Sequence, residues 1–472
     1  MKKSIAIILA MLMCTGLVAC KKDEAKSTEK NRKVVAKKDK DDEDSDDDEN
    51  GRSGIGENGN SGDNGNSGNN DDNGNGSSSA PDNNGGNETD TNNGGNNGGT
   101  GNGSPNIAAN GYIIIDEQNF PDIVFREYVK NYVDFDDDEL LSPKEIGDCH
   151  YIFFDEGDLS VATNATHDIE SMKGLEFFTA LWELDVNTNH ITELDLSQNT
   201  QLEILDCETN LLTSLDLSNC PNLKELYVAD NQLTELDLSN NPKLETLFCD
   251  SNQIASVKFN CPELTYCVLM RNNLTSLDIS SCTKLEYLRV NINELSSIDL
   301  SHNENLNELI LSNNPLTELD LSHNPKLTDL SVGYCDLAEI DVSTNTELRR
   351  LGISFMPITG IDISKNTKLS DITIMFTDLA EIDLSNCPEL EILTISVNKL
   401  SSLDVSHNPL LHYADISGNS ITSFNISTCP DLIEIVQNGE KTEWSDVTFW
   451  EIDSDDGWSQ VTVDTNCEVI MS

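Results

Sequence analysis

Asp134, Asp136 and Asp138 alternate along the chain, Leu140 follows at the same spacing, and Glu145 closes the series. Side-chain oxygens at the first, third and fifth places, a backbone carbonyl at the seventh and a carboxylate at the twelfth can converge on one cation. Calcium takes about six to eight such oxygens. The stretch therefore predicts a calcium site built from Asp134, Asp136, Asp138, Leu140 and Glu145. Its sixth place holds Glu139, which must then adopt the left-handed backbone that glycine takes freely, at a cost of roughly 1 kcal/mol. A loop that only caps the rest of the fold is the alternative. No other cofactor is suggested. The chain has no Walker-type phosphate loop, no GxSxG or HExxH motif and no CxxC pair. Carboxylates are too abundant for any pair of them to single out acid–base chemistry, so the expectation is a protein that is not an enzyme.

The acidic spacing resembles an EF-hand loop, and the residues before it predict the helix such a loop needs. Pro121 and Asp122 open it, since proline is tolerated in a first helical turn. Val124, Phe125, Tyr128 and Val129 give it one apolar stripe.

From Leu181 onward a 21-residue pattern, LxxLxLxxNxLTxLDLSxNxx, returns with its first leucine at Leu181, Leu202, Leu223, Leu244, Leu264, Leu285, Leu306, Leu327, Leu348, Leu369, Leu390 and Leu411. Only the repeat at Leu244 is one residue short, and Leu432 to Ile435 reads as the start of a further, incomplete turn. Such periodicity is the signature of a leucine-rich-repeat solenoid, in which stacked turns bury apolar residues that no single turn can bury alone. An inward asparagine column (Asn189, Asn210, Asn231, Asn252, Asn272, Asn293, Asn314, Asn398, Asn419) is placed to bond backbone groups at the bends. A second column alternates Asn with Cys, at Asn199, Cys220, Asn241, Cys261 and Cys282 among others. Those cysteines read as small buried side chains with free thiols. The LTxLDLS half alternates apolar and polar residues, as strands do. The predicted fold class is therefore a mainly β solenoid with short parallel strands on both flanks and a small helical, EF-hand-like N-terminal cap. The array resembles the 21-residue repeat class of bacterial leucine-rich-repeat surface proteins, loosely the internalins. Residues Asn119 to Asp122, the acidic loop and Gly174 to Thr179 resemble the cap of that class. The resemblance implies adhesion or ligand binding without naming a ligand.

Repeat proteins bind through the variable, outward positions of a strand face. Here the third, fifth and seventh places of each turn begin acidic, with Glu183, Asp185, Asn187 and Asp206 expected to be well hydrated. They then become Tyr227, Phe248, Tyr266, Val268, Met270, Tyr287, Arg289 and Ile310. Exposed aromatics beside an arginine are what binding hot spots use, although rings on a sheet can also simply pair across strands. Tyr334, Phe355 and Phe376 occupy one column, just before Cys335, Met356 and Thr377, which stand where the asparagine is missing. They are expected to turn inward as a structural spine. An acidic row from Asp195 to Asp404, broken by Lys258, marks the other flank.

Composition narrows the partners, and the N-terminus points to export. Asp and Glu number 84 against 29 Lys and Arg, a formal charge of −55. Such a surface repels phosphate and anionic lipid, so no nucleic-acid partner is expected. Lys2 and Lys3 precede an apolar run too short to span a bilayer, ending in Leu17-Val18-Ala19-Cys20. That tetrapeptide resembles the lipobox of bacterial lipoproteins, which implies lipid attachment at Cys20 and export to the outer face of a membrane. Two acyl chains hold a protein there stably where one does not. The expected organisation is a signal segment (1–19), a Gly/Asn/Ser-rich charged tether without a fold (20–105), the cap (106–168), the solenoid (169–436) and a C-terminal cap (437–472) containing Trp444, Phe449, Trp450 and Trp458. The lipid anchor would be the only membrane contact. The expected partner is an extracellular protein or polysaccharide, and the competing roles are a structural envelope spacer and, less favoured, a scaffold for a hydrolase.

Overall fold

The computed structural model describes residues 104–154, 168–444, 446–454 and 457–472. The signal segment, Cys20 and the tether up to residue 103 lie outside the described residues.

The N-terminal region forms as its sequence suggests. Helix α1 (Ile123–Tyr132) starts at Asp122, whose carboxylate accepts from the Val124 and Phe125 N–H groups, and it buries Val124, Phe125, Tyr128 and Val129. Helix α2 (Pro143–Asp148) starts with a reciprocal cap between Ser142 and Glu145. The second carboxylate oxygen of Asp122 accepts from the Glu170 N–H at 2.9 Å, tying α1 to the first bend of the repeats. Phe120 is fully buried and meets the rings of Phe125 and Phe177 edge-on at 5.6 and 5.7 Å. Gly174 makes room for it: φ is +107°, and a Cβ would lie 2.3 Å from the Phe120 ring.

The repeats build a parallel sheet, part of one 16-stranded sheet, with strands from Glu183–Asp185 to Tyr413–Asp415 in sequence order. Register advances by one repeat per strand, so Tyr266 aligns with Tyr287, and by one residue less where the short repeat aligns Thr246 with Tyr266. The first, fourth and sixth places of every turn are no more than 2% exposed. Each buried Leu or Ile contributes roughly 1.5–3 kcal/mol, and neighbouring turns supply the cover.

Both polar columns form ladders of different kinds. In the first, Asn210 donates to the carbonyls of Val186 in the preceding turn and Cys207 in its own, at 2.9 and 3.2 Å, while its oxygen accepts from the Ile191 N–H at 3.0 Å. In the second, Asn324 donates to the carbonyls of Leu300 and Asn303, at 3.2 and 2.9 Å. The cysteines of that column are free, buried, and donate weakly to the same carbonyls, as Cys261 does to Leu238 and Asn241.

Two expectations change. Strands do not run along the whole second flank. Among the described residues, regular pairing there occurs between Glu235–Leu238 and Ser256–Phe259, and between Ser423–Asn425 and Glu468–Ile470. Other turns hold on by bonds such as Leu211 N–H to Ile191 and Gln232 N–H to Leu212, each 2.9 Å. The two paired places are those where the acidic row is interrupted. Lys258 meets Asp237 at 2.7 Å, and Asn425 replaces an aspartate. Like charges directly opposite each other oppose strand pairing, and opposite charges favour it. Further along, the segment at Leu432 is not another turn. Pro430 starts helix α3 (Pro430–Asn438), which buries Leu432 and Ile435. Strand Gly457–Asp464 then extends the parallel sheet beside Tyr413–Asp415, and Val447–Ser454 and Glu440–Trp444 add to it antiparallel.

Candidate ligand-binding face

The strand face gathers its aromatics in the middle turns. Strand pairing puts Tyr227 beside Phe248 and Tyr266 beside Tyr287, while Phe248 reaches Tyr266 diagonally, as long side chains can. The result is one continuous ladder. Tyr227 and Phe248 stack at 5.4 Å, Phe248 and Tyr266 at 5.1 Å, and Tyr266 and Tyr287 are tilted at 5.2 Å. The guanidinium of Arg289 lies 5.8 Å from the Tyr266 ring centroid, and its Nε donates to Glu308 Oε1 at 2.5 Å. Ile310 and Met270 are half-buried at the margin of the ladder.

Val268 does not face solvent. It is 3% exposed because it lies between Phe248 and Arg289 on the adjacent strands, whose larger side chains close over it. Glu183 and Asp206 are 6% and 7% exposed, so the acidic start of the face is less hydrated than its composition implies.

The Tyr334, Phe355 and Phe376 column also differs from expectation. The rings do stack, at 4.1 Å and 15° and then 4.3 Å and 9°, but they remain half-buried while Cys335, Met356 and Thr377 fill the core column. Their backbone is left-handed, with φ of +51°, +53° and +53°. Thr188, Asp230, Ser251 and Asn313 adopt the same conformation at the same place of other turns, so the bend imposes it and directs this side chain away from the core. With the asparagine gone, the strands lengthen to five residues at Asp329–Gly333, Arg350–Ser354 and Asp371–Met375.

At the other end of those strands from the rings lie polar residues that the sequence pattern did not single out. Arg350 pairs with Asp329, and burial raises the Asp371 carboxyl above the usual range despite the nearby Arg350 charge. Burial likewise raises Tyr413 and Asp415 on the last repeat strand. They occupy the third and fifth places of their turns, so the column rule that found Tyr266 and Phe248 reaches them when carried further along the chain.

In the acidic loop, carboxylate oxygens of Asp134, Asp136 and Asp138 lie within 4.8 Å of one another. Burial raises the Asp134 carboxyl, and the charges of Glu145 and Asp138 add to this. Asp137 and Glu139 both take left-handed backbone, φ +55° and +60°. Glu145 is placed differently. Its oxygens accept from the Phe135 and Ser142 N–H groups at 2.9 and 2.8 Å, and such bonds outweigh burial to hold its carboxyl below the usual range. Leu140 pairs with Ile114 in a short antiparallel bridge. The loop thus brings three of the five predicted ligands to one point.

Comparison with known proteins places the architecture. The chain is similar to the functional domain of InlJ from Listeria monocytogenes, which includes a cysteine ladder, at 24% identity and a TM-score of 0.56, over 75% of this chain and 98% of that one. It is similar to the internalin inlF of Listeria monocytogenes at 22% identity and a TM-score of 0.58, over 66% and 94%. A leucine-rich-repeat protein from Leptospira interrogans matches at 23% identity and a TM-score of 0.50, over 52% and 69%. The family described as "Leucine Rich repeats (2 copies)" matches residues 221–262. No curated protein matches the sequence.

Proposed function

We propose, for this leucine-rich-repeat protein of internalin-like fold, that it is a surface-displayed binding module whose strand face takes a protein partner. The ladder of Tyr227, Phe248, Tyr266 and Tyr287 beside Arg289 carries this reading. Large, preorganised rings next to an arginine are the usual anchors of an interface. A spacer has no use for them, because the turns already bury their cores through Leu and Asn. The surrounding acidity favours a partner with basic residues and speeds its approach.

Attachment through Cys20 completes the proposal. The tether would hold the repeats off the membrane, and diacylation would keep them there. Calcium at Asp134, Asp136 and Asp138 would relieve the repulsion of carboxylates held together and so stiffen the cap.

The test replaces Tyr227, Phe248, Tyr266 and Tyr287 by serine and measures retention of the folded protein on host cells, mucin and polysaccharide. Retention on cells should fall by tenfold or more. Unchanged retention everywhere removes the binding role and leaves a spacer, and loss confined to polysaccharide identifies a glycan receptor instead. For the anchor, Cys20→Ser should release the protein from the detergent phase.

A further inference from the structure

We infer that Tyr334, Phe355 and Phe376 form a second docking site, and that its occupant is a protein segment presenting aromatic or aliphatic side chains next to lysine or arginine. This rests on the reading of the solenoid as a binding module but not on the four-ring ladder.

Three observations support it. The first is backbone conformation. The bend requires positive φ at this place, which disfavours bulky side chains; Arg271, Ile292 and Val397 accept it, and the remaining turns hold Thr, Asp, Ser, Asn or Gly. Three successive turns nevertheless hold aromatic residues. The second is that the core does not use them, since Cys335, Met356 and Thr377 fill that column at 5%, 3% and 7% exposure. On the strands alongside, the outward fifth places hold Ser331, Gly352 and Thr373, too small to shield the rings.

The third is orientation, which selects the occupant. At 4.1 and 4.3 Å, and within 15° of parallel, the rings cover one another's faces. Parallel rings turn their edges, not their faces, to solvent between the two ends of a stack. Sugars stack on open ring faces. Ring edges carry the positive part of the quadrupole and meet other rings edge-on, or meet carbonyl oxygens and apolar side chains. The stack therefore suits a polypeptide. Charge narrows the choice further. Lys399 is already paired with Asp378, so the exposed Asp336, two residues from Tyr334, and the formal charge of −55 favour a segment that carries basic residues.

The experiment uses the full-length protein and a phage-displayed library of short random peptides. Selected peptides are then synthesised and titrated against the wild type, Phe355→Asn, the triple variant Tyr334→Thr/Phe355→Asn/Phe376→Thr, and the four-ring serine variant. The replacements are residue types that this column already carries elsewhere, so the fold should survive. A class of peptides rich in aromatic or aliphatic residues with Lys or Arg should lose about tenfold or more in affinity for the triple variant and keep its affinity for the four-ring variant. Phe355→Asn should leave Tm unchanged or raise it. A library that yields no peptide dependent on the three rings overturns the proposal. So does a ring-dependent signal seen only on a glycan array, or a Tm that falls by many degrees in Phe355→Asn while peptide affinity holds. If ring-dependent peptides appear and none responds to the four-ring variant, this site stands and the ladder reading falls.

Discussion

The side-chain amide of Asn241 donates to the carbonyl oxygen of Cys220, one turn back, at 2.9 Å, and to that of Leu217 at 3.1 Å. Its own oxygen is buried and, among the described residues, takes no hydrogen bond, as is true of Asn303, Asn324, Asn345, Asn366 and Asn408. The column thus needs donors and makes no use of an acceptor. This explains why cysteine, which donates weakly and leaves no strong acceptor stranded, alternates with asparagine there. In the first column Asn210 uses both ends of its amide, and cysteine appears only where the local pattern changes, at Cys335.

Asn324→Ala should therefore destabilise the repeats by about 1–3 kcal/mol, because two buried carbonyls each lose one of their two donors and a small cavity is left. Asn324→Cys should cost about 1 kcal/mol or less, since the S–H recovers part of the bonding and the stranded oxygen disappears. Urea unfolding of the two variants distinguishes them, and equal losses would show that the amide contributes by shape alone.

The buried thiols make stability fall in alkali. Burial pushes Cys220, Cys261 and Cys387 up to about 11 and Cys282 up to about 12, from 9.0. A group whose folded value is raised stabilises fully below its unfolded value, and that contribution is lost as pH rises through the folded one. Unfolding midpoints should accordingly drop between about pH 9 and 12. A thiol reagent at pH 8 should label the half-exposed Cys467 before any thiol of the column. Rapid native labelling of Cys261 would contradict the buried ladder.

Calcium should raise the melting temperature of the cap over that in chelator. At a hundredfold excess over Kd the gain is about 2.7 kcal/mol. Asp134→Asn should abolish the difference, while leaving the repeats folded by circular dichroism. A wild-type melt identical with and without calcium excludes the site.

Arg289 and Glu308 are paired at 15% and 14% side-chain exposure. Removing one partner of a secluded pair costs more than removing both, because a lone charge stays behind. Arg289→Ala should destabilise by roughly 2 kcal/mol, and Arg289→Ala/Glu308→Ala should recover about half of that. A double variant as unstable as the sum of the single ones would show that the pair has no coupling.

The sequence by itself determined the stacking of the turns. In each repeat the first, fourth and sixth places alternate inward with a fixed local period, so Leu264, Leu285 and their equivalents point to the core whatever the neighbouring turns contain. The N-terminal helix was equally legible, because Asp122 and the Val124–Val129 stripe act within one segment. Neighbouring turns decided the rest. Val268 is covered by Phe248 and Arg289, which stand a full repeat away. Strand pairing on the second flank depends on whether Asp237 meets Lys258 or another aspartate. Tyr334, Phe355 and Phe376 lie outside the core because the bend between strand and flank forces positive φ there, which turns the side chain to the side opposite from that implied by alternation. Pattern along the chain fixes what is periodic within one turn, and only packing between turns fixes which of the remaining side chains meet solvent.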